Sequence, residues 1–330
     1  MTQVSSTSRE FRAERDTQVS SAVDATAVAR RYTGAVGWPT VVLCLALASV
    51  YSLVIVGWAQ GVMPLWAGCV INSVTTYAFY TVHHDANHKA ISGRNAKWRW
   101  LDRACGEIAA VPLQLNFVGF SAEHLRHHSH TNDPLNDPDV LVAGPLWALP
   151  IKWVVATVLS AVGALPCGDR LLQRWMASML PDDYPEPTER TVAARRRMRR
   201  YGQLGLVLLL ASVPLGIFMP VFFLWWLPGR FAILALMVLF QWLPHVPYDS
   251  TERYGNTRIT TFRGSTWLLL QQDRHLIHHL YPSVPWYRYR AVFREIRPLL
   301  DAEGARIEGR DSSPHRPIQM RYRRAAKTPV

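Results

Sequence analysis

SAEHLRHHSHTNDPLNDPD, residues Ser121–Asp139, decides the reading of this 330-residue chain. It carries His124, His127 and His128 in the pattern HxxHH. On a helix turning about 100° per residue, offsets of three and four return to one face, so these imidazoles project together. Working outward, His84-Asp85-Ala86-Asn87-His88 is HxxxH, and His275-Leu276-Ile277-His278-His279 is a second HxxHH. Ten of the 12 histidines lie in or beside these boxes (83, 84, 88, 124, 127, 128, 130, 275, 278 and 279), leaving His245 and His315. One box alone reads equally well as a surface or core feature. Three in one chain predict a shared metal centre. Imidazole suits Fe, Zn, Cu and Ni, so the histidines alone do not choose the metal.

A composition of 49% hydrophobic residues with 13 Trp stands beside a net charge of +12. The two conflict in a soluble globule and agree in a membrane protein with apolar spans and basic flanks. Cys44, Cys69, Cys105 and Cys167 are scattered without CxxC. That excludes a zinc ribbon or ferredoxin-type iron–sulfur module and gives no disulfide framework. The opening MTQVSSTSREFRAERD lacks the apolar core of a cleavable signal peptide. With no internal repeat and no linker, the expected layout is a disordered cytoplasmic tail over 1–35, one membrane domain over 36–303 and a basic tail over 304–330.

From Trp38 to Val82 a run of 45 residues holds no Asp, Glu, Lys or Arg. About 20 apolar residues span a bilayer as helix. The run therefore predicts a hairpin, spans 38–59 and 63–83, turning at Gln60-Gly61-Val62-Met63-Pro64. Residues 145–166 are apolar but interrupted by Lys152, leaving about 16 uncharged residues, and read as a re-entrant or interfacial helix. A loop over 169–200 ends in Arg195, Arg196, Arg197, Arg199 and Arg200. Abutting an apolar span, this cluster reads as an anchor to anionic lipid rather than a nucleic-acid site. A second hairpin follows, spans 202–227 and 230–245, broken at Pro228-Gly229. Thr266–Leu280 reads as an amphipathic helix carrying the third box. The fold class is thus all-α integral membrane, with about four transmembrane helices, interfacial helices and a cytoplasmic helical cap.

Lys and Arg flank the first hairpin on both sides and are missing from its turn, which places both ends in the cytoplasm. An even number of crossings then brings all three boxes and His245 to one face. His84, His88, His124, His127, His128, His275, His278 and His279 make eight imidazoles, and His245 makes nine. A catalytic zinc needs three protein ligands plus water. Eight or nine suffice for two metals with open positions, and neutral nitrogen ligands in pairs point to redox iron. No Glu-x-x-His occurs in the chain, which argues against a carboxylate di-iron bundle. Haem held by two span histidines would leave six or more unexplained. A histidine-lined transporter or metal sensor is the competing class, but it calls for polar ligands near the bilayer midplane.

The boxes, their order and the four-span plan resemble the membrane fatty-acid desaturase and hydroxylase superfamily over most of residues 38–300. More narrowly, HDANH at 84–88, HLRHHSHTNDPLNDPD at 124–139 and HLIHHLYPSVPWYRY at 275–289 are similar to segments of the desaturase-like β-carotene hydroxylases. Val140 stands where those segments carry His. The resemblance implies two ferrous ions that use O2 and external electrons to attack an unactivated C–H bond. The product is an alcohol on a long hydrophobic substrate, a carotenoid ring foremost, or an alkene in an acyl lipid. It also implies His245 as an additional ligand between the second and third boxes.

Beside the boxes, Asp85, Asp133, Asp137 and Asp139 are candidates to orient imidazoles, since ligating histidines commonly donate their other N–H to a carboxylate. Turn chemistry is the alternative for the NDP aspartates. His130 and Gln241 are candidates for the same supporting shell, and His83 competes with His84 in box one. Arg126 and Arg274 are placed to pair with these aspartates. With no nucleotide-binding glycines or cysteine cluster, electrons must come from a separate carrier. A small acidic ferredoxin-like protein fits the basic cytoplasmic face. The expected setting is the inner membrane, with both termini and the site in the cytoplasm.

Overall fold

The computed structural model describes residues 24–165, 174 and 187–312, and within them the chain is mostly helical. A short helix α1 (Ala25–Tyr32) precedes α2 (Trp38–Ala59) and α3 (Leu65–Asn87). These two pair as the expected hairpin, with Pro39 in the first turn of α2 and Gly61 at φ 75° in the connection. α3 runs on through His83, His84 and Asp85. It buries Asn72, Thr75, Thr76 and Thr81. Among the described residues, three helices are long and apolar enough to cross a membrane: Trp38–Ala59, Leu146–Gly163 and Phe218–Trp242. These are not the four expected. The polar inner face of α3 keeps it out of the set. The segment read as re-entrant joins it, because Lys152 sits in the first turns and reaches back to the carbonyl of Ala143 at 2.5 Å.

Helix α4 (Arg99–Leu113) packs across α3, and Gln114 turns the chain at φ 56° into α5 (Phe117–Ser129). The Asn116 side chain caps α5 by accepting from the Gly119 N–H at 2.8 Å. Gly106 lets the two helices touch, since a Cβ there would lie 2.4 Å from the Phe117 ring. The apolar helix α6 (Leu149–Ala164) follows, and then α7 (Glu189–Ala211). The arginine run 195–200 therefore lies on a helix, not in a loop; residues 166–173 and 175–186 are outside the described residues.

The second pair of apolar helices breaks at 212–217 rather than at Pro228-Gly229. One helix, α8, runs from Phe218 to Trp242, with wide π turns at Phe222–Trp226 and Met237–Trp242. Pro228 has no N–H to give the carbonyl four residues earlier. That carbonyl, Leu224 O, accepts instead from Tyr51 Oη at 2.7 Å and Asn72 Nδ2 at 2.8 Å. The next two, Trp225 O and Trp226 O, accept from Gln114 Nε2 at 2.8 and 3.0 Å. In an apolar setting freed carbonyls must be satisfied by neighbours, and here they fasten α8 to α2, α3 and the α4–α5 turn.

Beyond α8, strand β1 (Arg258–Thr261) pairs parallel with β2 (Arg306–Gly309), Ile259 opposite Ile307. The fold is thus not purely helical, and the tail expected from residue 304 is ordered through Ser312. The expected helix over Thr266–Leu280 is interrupted. A single turn, α9 (Ser265–Leu268), gives way to left-handed Leu270 and Gln271, and α10 (His275–Leu280) carries the box. Helix α11 (Tyr289–Ala302) closes the unit, burying Val292, Ile296 and Leu300 against Ile259, Leu276 and Ile277. Residues 24–32, expected as tail, pack here too: Val28 joins this core, and Arg31 and Tyr32 bond to Glu295.

Candidate metal centre

Four elements deliver nine histidines to one place. His84 lies on the last turn of α3 and His88 caps it; His124, His127 and His128 line α5; His245 follows α8; His275, His278 and His279 lie on α10. Their ring nitrogens form two groups. His84, His88, His124, His128 and His278 offer ligand atoms all within 4.8 Å of one another, as do His127, His245 and His279. His275 belongs with the second group, its Nε2 lying 3.0 Å from His279 Nε2 and 3.3 Å from His245 Nε2. In the first group Nε2 of His88 meets Nε2 of His124 at 2.8 Å, and His128 meets His278 likewise at 2.8 Å. The groups adjoin through the stacked rings of His128 and His279, 4.3 Å between centroids.

Hydrogen bonding on the far side of the rings tests whether these nitrogens suit a metal. Thr131 Oγ1 donates its one hydrogen to His127 O at 2.9 Å, so at 3.3 Å it can only accept from His279 Nδ1–H. His275 Nδ1 donates to Gln272 Oε1 at 3.2 Å, and His127 Nδ1 to Asp137 Oδ1 at 2.8 Å. In the neutral imidazoles the Nε2 atoms of all three are then bare lone pairs. Those of His275 and His279 face each other at 3.0 Å, which repels unless a cation lies between. Imidazoles about 2.0–2.1 Å from a shared ion would put their nitrogens roughly 3 Å apart. In the first group both nitrogens of His84 are buried without a hydrogen-bond partner. The donor set fits metal.

Burial, then the neighbouring imidazoles, pushes His88, His124, His128, His278 and His279 well below the usual histidine range. Burial holds His275 at about 3. Neutral imidazole is the ligand form. His127 departs from the others: burial pulls it down, but the Asp139 and Asp137 carboxylates outweigh this and raise it. Of the nine, His128 and His279 alone are half-buried rather than buried. Both line a polar cavity of about 360 Å³ with His130, Asp133, Arg253 and Asn256.

Of the candidate supporting residues, Asp137 meets an imidazole directly and also accepts from the N–H groups of Asn132 and Asp139. Asp85 does not. Its buried carboxylate accepts from Thr40 Oγ1 at 2.8 Å and the Trp286 N–H at 3.3 Å, clamping α2 to the loop behind box three. Asp133 caps its own turn through the N–H groups of Leu135 and Asn136. His130 is exposed, its Nδ1–H directed to Arg126 O. Gln241 acts one step removed, donating to Asp139 Oδ1 at 3.1 Å. Arg126 bonds Asn136 O and Glu123, and Arg274 bonds Asp273 and Asp311, none of them the expected aspartates. His83 turns away from the cluster, accepting from Asn87 Nδ2 with its ring against Phe117 and Phe120.

Three supporting residues escaped the sequence reading. Gln272 was in view as QxxH, one turn before His275. Thr131 lies one turn past His127 and gives no local sign of facing His279. Tyr289 Oη, 3.1 Å from His278 Nδ1, comes from another helix, so no spacing could announce it.

Fold and site together define a helix-rich membrane-type protein built around a buried imidazole cage suited to metal. It belongs to the fatty acid desaturase family, whose model matches residues 57–310 and so spans all nine histidines. Similar proteins include the bifunctional desaturase/conjugase FADX of Vernicia fordii, 26% identical over 260 residues. That alignment covers 71% of this chain and 65% of the relative, so the chain spans slightly less than two thirds of that protein. The sn-1 oleoyl-lipid 12-desaturase of Anabaena variabilis is 22% identical over 268 residues, 74% of each chain. The beta-carotene ketolase of Paracoccus sp. (strain PC1) is 26% identical over 237 residues, 68% of this chain and 78% of the ketolase.

Proposed function

We propose that the protein is an O2-dependent oxygenase of the inner membrane that holds two irons and oxidises an unactivated C–H bond of a long hydrophobic substrate, a carotenoid ring foremost. The observation carrying this reading is the pair of adjoining imidazole groups whose bare nitrogens face one another. The five-member group and His127, His245, His275 and His279 would each hold one iron. When bound, the irons would supply O2 activation and hydrogen abstraction, with electrons from outside.

The chain's own residues prepare that chemistry. Asp137, Gln272 and Thr131 keep the proton on Nδ1 of their histidines and leave Nε2 free. Burial of seven of the nine rings excludes water from the reacting side. The half-buried edge at His128 and His279 gives the cage a solvent-facing side, where a small acidic carrier such as a ferredoxin would deliver electrons. With that edge toward the cytoplasm, the basic flanks of the spans face inward.

Carotenoid oxygenation is supported by the box-flanking segments and by the similarity to a beta-carotene ketolase. Acyl-lipid desaturation is the second reading, favoured by similarity to oleoyl-lipid and conjugase enzymes. Expression in a carotenoid-producing host separates them by product mass. A pigment heavier by one oxygen per site is the expected result. Unchanged pigment with a membrane acyl chain lighter by a hydrogen pair establishes the second reading. Neither product, from protein carrying its iron, overturns both.

A further inference from the structure

The segment leading into box three presents its apolar tip outward. Trp267 is 85% exposed and Leu268 51%, with exposed Phe262 and Arg263 just before them. Its base, by contrast, is fixed. Leu269 is buried, and Leu270 packs on the core shared by α2, α3, α4 and α8. Ser265 and Thr266 each donate to the Asp273 carboxylate at 3.0 Å. The turn needs Gly264 at φ 88°, Leu270 at 48° and Gln271 at 65°. Two side-chain-bearing residues in the left-handed region are unfavourable and persist only where surrounding structure over-determines them. The fold holds them there, and the outcome is an outward-facing tryptophan.

What lies around that tip indicates what it meets. Tyr77 Oη donates to Leu268 O at 2.5 Å, and its ring packs on Phe240 in the last turn of α8. On α3, Tyr77 follows Trp66, Val70 and Val74 by 11, 7 and 3 residues. At about 100° per residue these four share one sector of the helix, roughly 80° wide. Trp66, Val70 and Val74 are 71%, 59% and 64% exposed. An apolar exposed stripe therefore runs along α3 through Tyr77 and onto Leu268 and Trp267, level with the end of a membrane-length helix. Tryptophan favours the boundary between acyl chains and headgroups, and Arg263 beside it suits the phosphates.

We infer that Phe262–Leu268 is a membrane-dipping anchor: Trp267 and Leu268 sit in the acyl–headgroup boundary of the phospholipid bilayer. Through Asp273 and Gln272 the same segment is tied to His275, so the anchor seats the third box on the lipid surface. The inference depends on the membrane reading of the apolar helices and not on the reaction proposed above.

Trp267→Phe supplies the test, being small enough to preserve the fold, which circular dichroism checks. Full-length protein and variant are placed in phosphatidylcholine nanodiscs, and the Trp267 emission is obtained by difference. Bromines at shallow acyl positions are expected to quench that component several-fold more than aqueous iodide does. Quenching by iodide that equals or exceeds quenching by brominated lipid overturns the anchor, whether the tip then faces water or another protein.

Discussion

His83 and His84 are adjacent, and both are buried, yet a helix points them about 100° apart. One ring packs between Phe117 and Phe120 with its Nδ1 held by Asn87; the other enters the five-imidazole group with no hydrogen-bond partner. His84→Ala is therefore expected to strip iron from the first group, while His83→Ala keeps the metal and loses packing. Iron per protein after anaerobic loading measures both, and equal losses would refute the assignment. Asp137→Asn attacks the second group indirectly. With the carboxylate gone from His127 Nδ1, iron affinity is expected to fall about 10–100-fold with the helices intact. Competition with a chelator reads this directly, and unchanged affinity would contradict it. The histidines were legible because periodicity reports which residues share a face. Their supporting partners were less so: Asp85 and Asp133 look equivalent to Asp137 in sequence, and only packing separates a clamp or turn cap from an imidazole partner.

At the scale of elements, the hairpin α2–α3 was readable from a long uncharged run. The second pair was misplaced because Pro228-Gly229 reads locally as a break. Nothing nearby in sequence tells that Tyr51, Asn72 and Gln114 will take up the freed carbonyls. The same limit hid β2 and the interrupted helix before box three, both set by contacts across long separations. One close approach bears on the site. Gly106 lies against Phe117, whose ring in turn touches His83, at the start of the helix carrying box two. Gly106→Ala must push α5 from α4, and overpacking of this kind costs about 1–3 kcal/mol. A lower midpoint of thermal unfolding in detergent is expected, with partial iron loss. An unchanged midpoint would mean that the α4–α5 contact has room to relax.

At the scale of the described residues, a set of apolar helices and α10 together carry the imidazole cage, and α11 and strand β1 pack behind α10. Distant parts of the chain meet there: His84 on α3 and His278 on α10 have ring centroids 4.1 Å apart. That meeting is what three separate boxes in the sequence implied, whereas substrate and electron donor leave no comparable pattern. The account turns on the two imidazole groups each holding an iron. Mössbauer spectroscopy with iron quantitation on full-length protein loaded anaerobically with ⁵⁷Fe(II) tests this most directly. Two irons per chain in nitrogen-rich sites is the result expected, with His84→Ala and His245→Ala each diminishing a different one of the two. A single iron per chain, or zinc retained in place of iron, would contradict it.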